Sequence, residues 1–202
     1  MSCMFLRLMW NRETRALKFL MVLMVLCVVP GKVFAGSEPL ETVKNGTEKV
    51  LQVLQDEDMD QEAQRARIRE VVDEHFDFHE MGKRALGPHW RDQPEEKQEE
   101  YVQAFGDFLF GVYIDRVEEY SGETIAYESQ EEMEGHAVVH ALVAGDETEE
   151  IPLEYRLHAV HEEWRVYDVV IEGVSLVNNY RSQFSSFLAQ NTFEDLIRRL
   201  EE

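Results

Sequence analysis

The stretch Trp164-Arg165-Val166-Tyr167-Asp168-Val169-Val170-Ile171-Glu172-Gly173-Val174-Ser175-Leu176-Val177 reads as a strand that is apolar on both faces, followed by a turn and a helix start. Antiparallel sheets commonly pack one face and wet the other. Here a strict period of two sends Trp164, Val166 and Val170 one way and Tyr167, Val169 and Ile171 the other. Both faces must be covered, one by ordinary core and the other by a second packing layer or the wall of an apolar cavity. Asp168 is the charged residue inside this apolar strand, and a buried carboxylate needs a partner. Arg84, Arg91 and Arg181 are candidates for it, and the expected role is an ion pair pinning a helix to the sheet.

Working outward from that strand, the residues after Ser121-Gly122 follow a period of 2, with strands expected at Thr124 to Ser129, Ala137 to Ala144, Glu150 to Val160 and Trp164 to Glu172. Gly135, Gly145-Asp146 and His161-Glu162-Glu163 are short hairpin links, which makes the sheet antiparallel. Ile151, Leu153, Tyr155 and Leu157 share one face of the third strand, opposite Glu154, Arg156 and His158. Before the sheet, helical spacing covers Pro39 to Leu54 with Ser37 as N-cap, Asp60 to about His75, and a short helix from near Asp77 to Gly87-Pro88. Asp92 is expected to cap a long helix that opens with Pro94 and runs to about Tyr120, and its apolar arc is wider than a surface helix needs. After the sheet, Ser175 caps a helix from Leu176 to about Ala189, and Thr192 caps another from Phe193 to Leu200. Helices, then about four curled antiparallel strands, then helices: the expected fold class is α+β, with a curved sheet wrapped by N- and C-terminal helices around an apolar pocket.

The first 35 residues read as a cleaved secretory signal peptide. Arg7, Arg12, Arg15 and Lys18 precede an apolar run from Phe19 to Val29, and Val33-Phe34-Ala35 offers an A-x-A-like cleavage site before Gly36. The run is 11 residues long, where a membrane span needs about 20. Both cysteines, Cys3 and Cys27, lie in this leader, so the expected domain at residues 36–202 has no disulfide and rests on core burial, in a compartment that fits a bacterial periplasm. Residues 36–202 carry 40 acidic and 15 basic side chains, a net charge of −25. A nucleic-acid partner is excluded by the missing basic footprint, and adsorption to anionic lipid is opposed by the same field. An acid-rich, lysine-poor chain of this kind suits a high-salt habitat.

Candidate catalytic groups do not converge. His75 and His79, with Asp77 or Glu80 nearby, have metal-ligand spacing, but no further His or Cys completes a site, and a helix-end pair beside carboxylates is the reading adopted. His136 with His140, and His158 with His161, read as strand-edge and turn residues. Gly173-Val174-Ser175-Leu176-Val177 sits between strand and helix like a nucleophile elbow but lacks the second glycine, so Ser175 is read as an N-cap. No catalytic residue, metal site or cofactor is expected.

These segments together resemble the MlaC family, periplasmic phospholipid-binding components of a lipid-transport system, also called the toluene-tolerance auxiliary family. The resemblance is carried by Arg84-Ala85-Leu86-Gly87 with Trp90-Arg91, by Gln98 to Tyr120 with Phe105, Leu109 and Tyr113, by Trp164 to Leu176, and by Tyr180-Arg181-Ser182-Gln183-Phe184. It spans roughly residues 38 to 200, and departs from the family in charge, since members are often neutral or basic. It implies a deep apolar pocket that holds the acyl tails of a diacyl phospholipid. It also implies traffic between an outer-membrane lipoprotein complex and an inner-membrane ABC transporter complex, with no bond-making step, in support of outer-membrane lipid asymmetry. The candidate lining is Phe105, Leu109 and Tyr113 from the long helix, with Leu153, Tyr155, Tyr167, Val169 and Ile171 from the sheet. The opposite strand register would instead put Trp164, Val166 and Val170 inward, and each of these positions serves a plain core equally well. A pocket for another small hydrophobic ligand, or a closed adaptor with no pocket, are the alternatives.

Overall fold

The computed structural model describes residues 38–145 and 150–202; the leader reading, and Ser37 as a cap, lie outside the described residues. Helix α1 spans Pro39–Leu54, α2 Gln61–His75, α3 Phe78–Leu86 and α4 Glu95–Glu118, with a 3-10 turn at Gly87–Asp92. The strands follow as β1 Thr124–Met133, β2 His136–Ala144, β3 Ile151–Val160, β4 Glu163–Ile171 and β5 Val174–Ser175, and then helices α5 Leu176–Leu188 and α6 Phe193–Glu201. The fold is α+β, with one antiparallel sheet in the order β1-β2-β3-β4-β5. The fifth strand is only two residues long and was not expected, because so short a run has no period to read.

Local chemistry sets the element ends. Asp60 and Asp77 accept from the backbone N–H groups of Ala63 and Glu80 and open α2 and α3. Thr192 and Asp195 form a reciprocal capping box at α6. The cap expected of Asp92 is absent: α4 begins after Pro94, whose fixed φ suits a helix entry, and Asp92 ends the 3-10 turn instead. The β1–β2 and β4–β5 hairpins turn on Glu134-Gly135 and Glu172-Gly173, both residues of each pair at positive φ, as tight two-residue links require. The β3–β4 hairpin does the same with His161-Glu162, at φ of 48° and 71°, without a glycine.

One local irregularity decides which side chains meet. Between β3 and β4, Arg156 pairs with Asp168 but Leu157 pairs with Val166, leaving Tyr167 as the extra residue of a β-bulge. A bulge shifts the phase of alternation by one residue. Trp164 and Val166 therefore lie on the same face as Val169 and Ile171, while Tyr167, Asp168 and Val170 lie on the other, which corrects the strict alternation read from the sequence. A second bulge, between Tyr127 and Ser129, breaks β1 in the same way.

The inner face of the sheet carries Ala137, Val139, Leu157, Trp164, Val166 and Val169, packed with Val43 of α1. The outer face of β4 is covered by α3 and α5, whose side chains join α4 and α6 in an aromatic-rich core around Tyr101, Phe105, Tyr180 and Phe184. A third cluster, Val53, Ile68 and Ile114, ties α1 and α2 to the far half of α4. Both faces of β4 are thus covered, as its apolar sequence demands.

Candidate functional site

Asp168 is 3% exposed and works at the joint between β4 and α5. Its Oδ2 accepts from Ser175 Oγ at 2.7 Å and from Arg156 Nη1 at 3.2 Å, and its Oδ1 accepts from the Val177 backbone N–H at 3.1 Å. Ser175 Oγ in turn accepts from the Asn178 N–H and caps α5. The carboxylate thus satisfies free donors at a helix N-terminus, where the helix dipole also favours negative charge. It pins a helix to the sheet as expected, but its cation is Arg156 from the neighbouring strand. Arg84, Arg91 and Arg181 are not its partners: Arg84 pairs with Glu80 and lies over the Tyr167 ring, 4.2 Å from its centroid.

The eight lining candidates fall in two places. Phe105 and Leu109 are 0% and 5% exposed, inside the aromatic-rich core, with Tyr113 half-buried at its margin. Tyr167 packs against that same core, with His136 and His158 edge-on to its ring. Leu153, Tyr155, Val169 and Ile171 stand together on the inner face, where Leu153 pairs with Ile171 and Tyr155 with Val169 across the β3–β4 ladder. The bulge at Tyr167 separates it from the other four strand candidates. Tyr127, Leu40 and Leu176 share the inner-face cluster and were missed. Tyr127 could have been found from the Ile125/Tyr127 alternation of β1, whereas Leu40 and Leu176 reach the sheet from helix ends that no periodicity links to it.

Tyr155 carries the most information about this wall. Burial pushes its hydroxyl up to about 12, and its side chain is half-buried on the inner face of the sheet. Leu153, Ile171, Tyr127 and Leu176 around it are likewise half-buried apolar groups. Two depressions lie elsewhere. One of about 580 Å³ sits between the α1–α2 turn and the end of α4, lined by Gln55, Gln61, Gln64 and Glu118 among others. The second, about 620 Å³, runs along α4 beside the C-terminal end of α6, with Phe108 and Val112 in its floor. Neither includes any of the eight candidates.

The histidines are structural. His75 is buried and donates from Nδ1 to the Val71 carbonyl at 2.8 Å, and His79 is exposed with its ring edge-on to Trp90. His158 sits within β3, as the strand reading had it, and its Nε2 donates to Asp77 Oδ2 at 2.9 Å, tying the sheet to the start of α3. Among the described residues no cluster of His, Cys, Asp and Glu could hold a metal ion, and no helix is long and apolar enough to cross a membrane.

The sequence profile of the family described as MlaC protein matches residues 44–202. The chain belongs to the MlaC family. It is 22% identical over 126 residues to the intermembrane phospholipid transport system binding protein MlaC of Haemophilus influenzae, an alignment covering 60% of this chain and 59% of that relative. The match therefore spans less than two thirds of the relative's length. The fold is that of a phospholipid-binding protein from Ralstonia solanacearum solved in complex with a phospholipid: TM-score 0.72 at 23% identity, covering 82% of this chain and 96% of that one.

Proposed function

We propose that this chain is a periplasmic phospholipid carrier that shelters acyl tails against the inner face of its sheet and passes lipid between an outer-membrane lipoprotein complex and an inner-membrane ABC transporter complex. The observation that carries the reading is the group of half-buried, mostly apolar side chains Tyr127, Leu153, Tyr155, Ile171 and Leu176 at the inner face of the sheet. Membership of the MlaC family supports it, as do the relatives, one a phospholipid-transport binding protein and one solved bound to a phospholipid.

The energetics explain why such a protein needs a wall and no chemistry. Exposing a methylene to water costs about 0.8 kcal/mol, so two chains of ~16 carbons cost on the order of 25 kcal/mol to move bare through water. A surface that imitates hydrocarbon removes most of that penalty without specific polar contacts. Leu153, Tyr155, Val169 and Ile171 supply such a surface from the sheet, whereas Tyr113 stands at the margin of the aromatic-rich core. Phe105 and Leu109, closed in the core behind, hold α4 in place rather than touch the tails. Bond-making has no part in the proposal.

Native mass spectrometry of the protein purified without detergent tests the reading. A stoichiometric diacyl phospholipid is the expected result. A protein that is empty, and that also takes no lipid from vesicles, would overturn it.

A further inference from the structure

Acidic residues are spread along residues 36–202 so densely that a long run without one stands out. Residues 81–91 and 173–193 contain none and carry four basic residues, Lys83, Arg84, Arg91 and Arg181, whereas the acid-free run 135–145 carries no lysine or arginine. The first run is the body of α3 with most of the 3-10 turn, and the second is the β4–β5 turn, β5 and all of α5. Helices α3 and α5 pack side by side, so two segments far apart in sequence join into one surface. The outward face of α5 there is Asn178, Ser182 and Ser185 around Arg181, uncharged apart from the guanidinium.

Ion pairing marks the same place. Residues 38–202 hold 15 lysines and arginines, and 13 of them make a salt bridge to a carboxylate. The two that make none among the described residues are Arg91 and Arg181, both exposed. Arg181 is held against the end of α3: Gly87 has φ of +60°, and a Cβ there would lie 2.9 Å from Arg181 Nε. The backbone conformation and the close approach both call for glycine. A guanidinium kept unpaired in a domain with 40 carboxylates, and seated on a glycine turn, is available for a carboxylate from outside.

We propose that the acid-free residues 81–91 of α3 and the 3-10 turn, together with α5, dock on a carboxylate-bearing protein surface of the membrane complexes that the carrier serves, with Arg181 and Arg91 as contacts. The inference rests on the carrier reading only for the need to dock. A strongly acidic protein meets another acidic surface with least repulsion where its own carboxylates are sparse, and arginine is suited to forked contact with a carboxylate. The net charge of the domain disfavours an anionic bilayer as the occupant. At high salt the Debye length falls to about 3 Å, so local contacts of this kind outweigh the overall field.

The test uses sheared envelope fragments of the source organism, with both periplasmic faces open, beside protein-free liposomes made from lipids extracted from them. The expected result is binding to fragments that is abolished by protease shaving, with none to liposomes. Arg181→Glu and Arg91→Glu each weaken it about tenfold or more, while Arg116→Glu, at a paired and exposed site on α4, leaves it unchanged. Arg181→Gln, which adds no carboxylate beside α3, gives a smaller loss and serves if the glutamate variant misfolds. Equal binding to liposomes, unchanged binding by all three variants at positions 91 and 181, or no binding of the wild type to fragments would overturn the proposal. Lipid occupancy is read on the same samples. An empty wild type counts against the carrier reading, whereas full occupancy with unaltered docking counts against this surface alone.

Discussion

Replacing Asp168 tests the joint on which the sheet and α5 depend. Asp168→Ala strips the acceptor from three donors at once: the buried Ser175 hydroxyl, the Val177 N–H and the Arg156 guanidinium. Hydrogen bonds to a charged group contribute about 1.5–3 kcal/mol each, and removing one partner of a buried charged network typically costs about 3–5 kcal/mol in total. Arg156 is 33% exposed and regains water, so its pairing is worth about 1 kcal/mol or less. The expected order of destabilisation is therefore Asp168→Ala, then Asp168→Asn, which keeps one acceptor oxygen, then Arg156→Ala. For a domain of this size 1 kcal/mol moves Tm by about 2–4 °C, so the alanine variant should melt about 10 °C or more below the wild type. Thermal melts by circular dichroism, with urea titrations to check that the m-value is unchanged, give the comparison. The reasoning is refuted if Arg156→Ala costs as much as Asp168→Ala, since the ion pair rather than the helix cap would then carry the joint.

Further outcomes follow from the site and the turns. Tyr155→Glu and Ile171→Glu put a carboxyl into the apolar inner wall, and lipid recovered per protein should fall at least tenfold in native mass spectra, against little change for Glu128→Gln on exposed β1. Glu162→Gly places glycine where φ is 71° in the β3–β4 turn, and should raise stability by about 0.4–1 kcal/mol in equilibrium urea unfolding, offset in part by the flexibility glycine adds to the unfolded chain. Burial of Glu80 works against its ionisation, but the hydrogen bond from Lys83 and the charge of Arg84 outweigh it and hold its carboxyl below the usual range. A depressed carboxyl stabilises above its unfolded value of 4.5 and loses that contribution as pH falls through the folded value. The Tm difference between wild type and Glu80→Gln should therefore be full at pH 6 and shrink toward pH 3.

The α+β class, the helices and the four longer strands were legible in the residues because each depends on near neighbours: caps such as Asp60, Ser175 and Thr192, glycines at turns, and a switch of period from 3.6 to 2 after Gly122. The resemblance carried by Trp164 to Leu176 was legible for the same reason, as an unbroken local pattern. The division of the apolar residues between closed core and open wall was not. Phe105 and Tyr155 look alike in sequence, but one is enclosed by Tyr101, Tyr180 and Phe184 and the other is half-buried on the inner face of the sheet, a difference set by what the rest of the chain brings near.

Two further decisions belonged to tertiary structure alone. The bulge at Tyr167 turned one strand's alternation over, and a bulge arises from the register of two strands, Arg156 against Asp168 and Leu157 against Val166, which neither strand encodes by itself. Asp168 then found Arg156 across the ladder and not the arginines of the helices, and Arg91 and Arg181 make no salt bridge among the described residues. The sequence by itself determined the elements, their order and the need to cover both faces of β4, because backbone propensity and hydrophobic period act within a few residues. Pairing register, the choice of ion partners and the open or closed state of each apolar side chain depend on contacts between distant segments, and were decided only when the chain was folded.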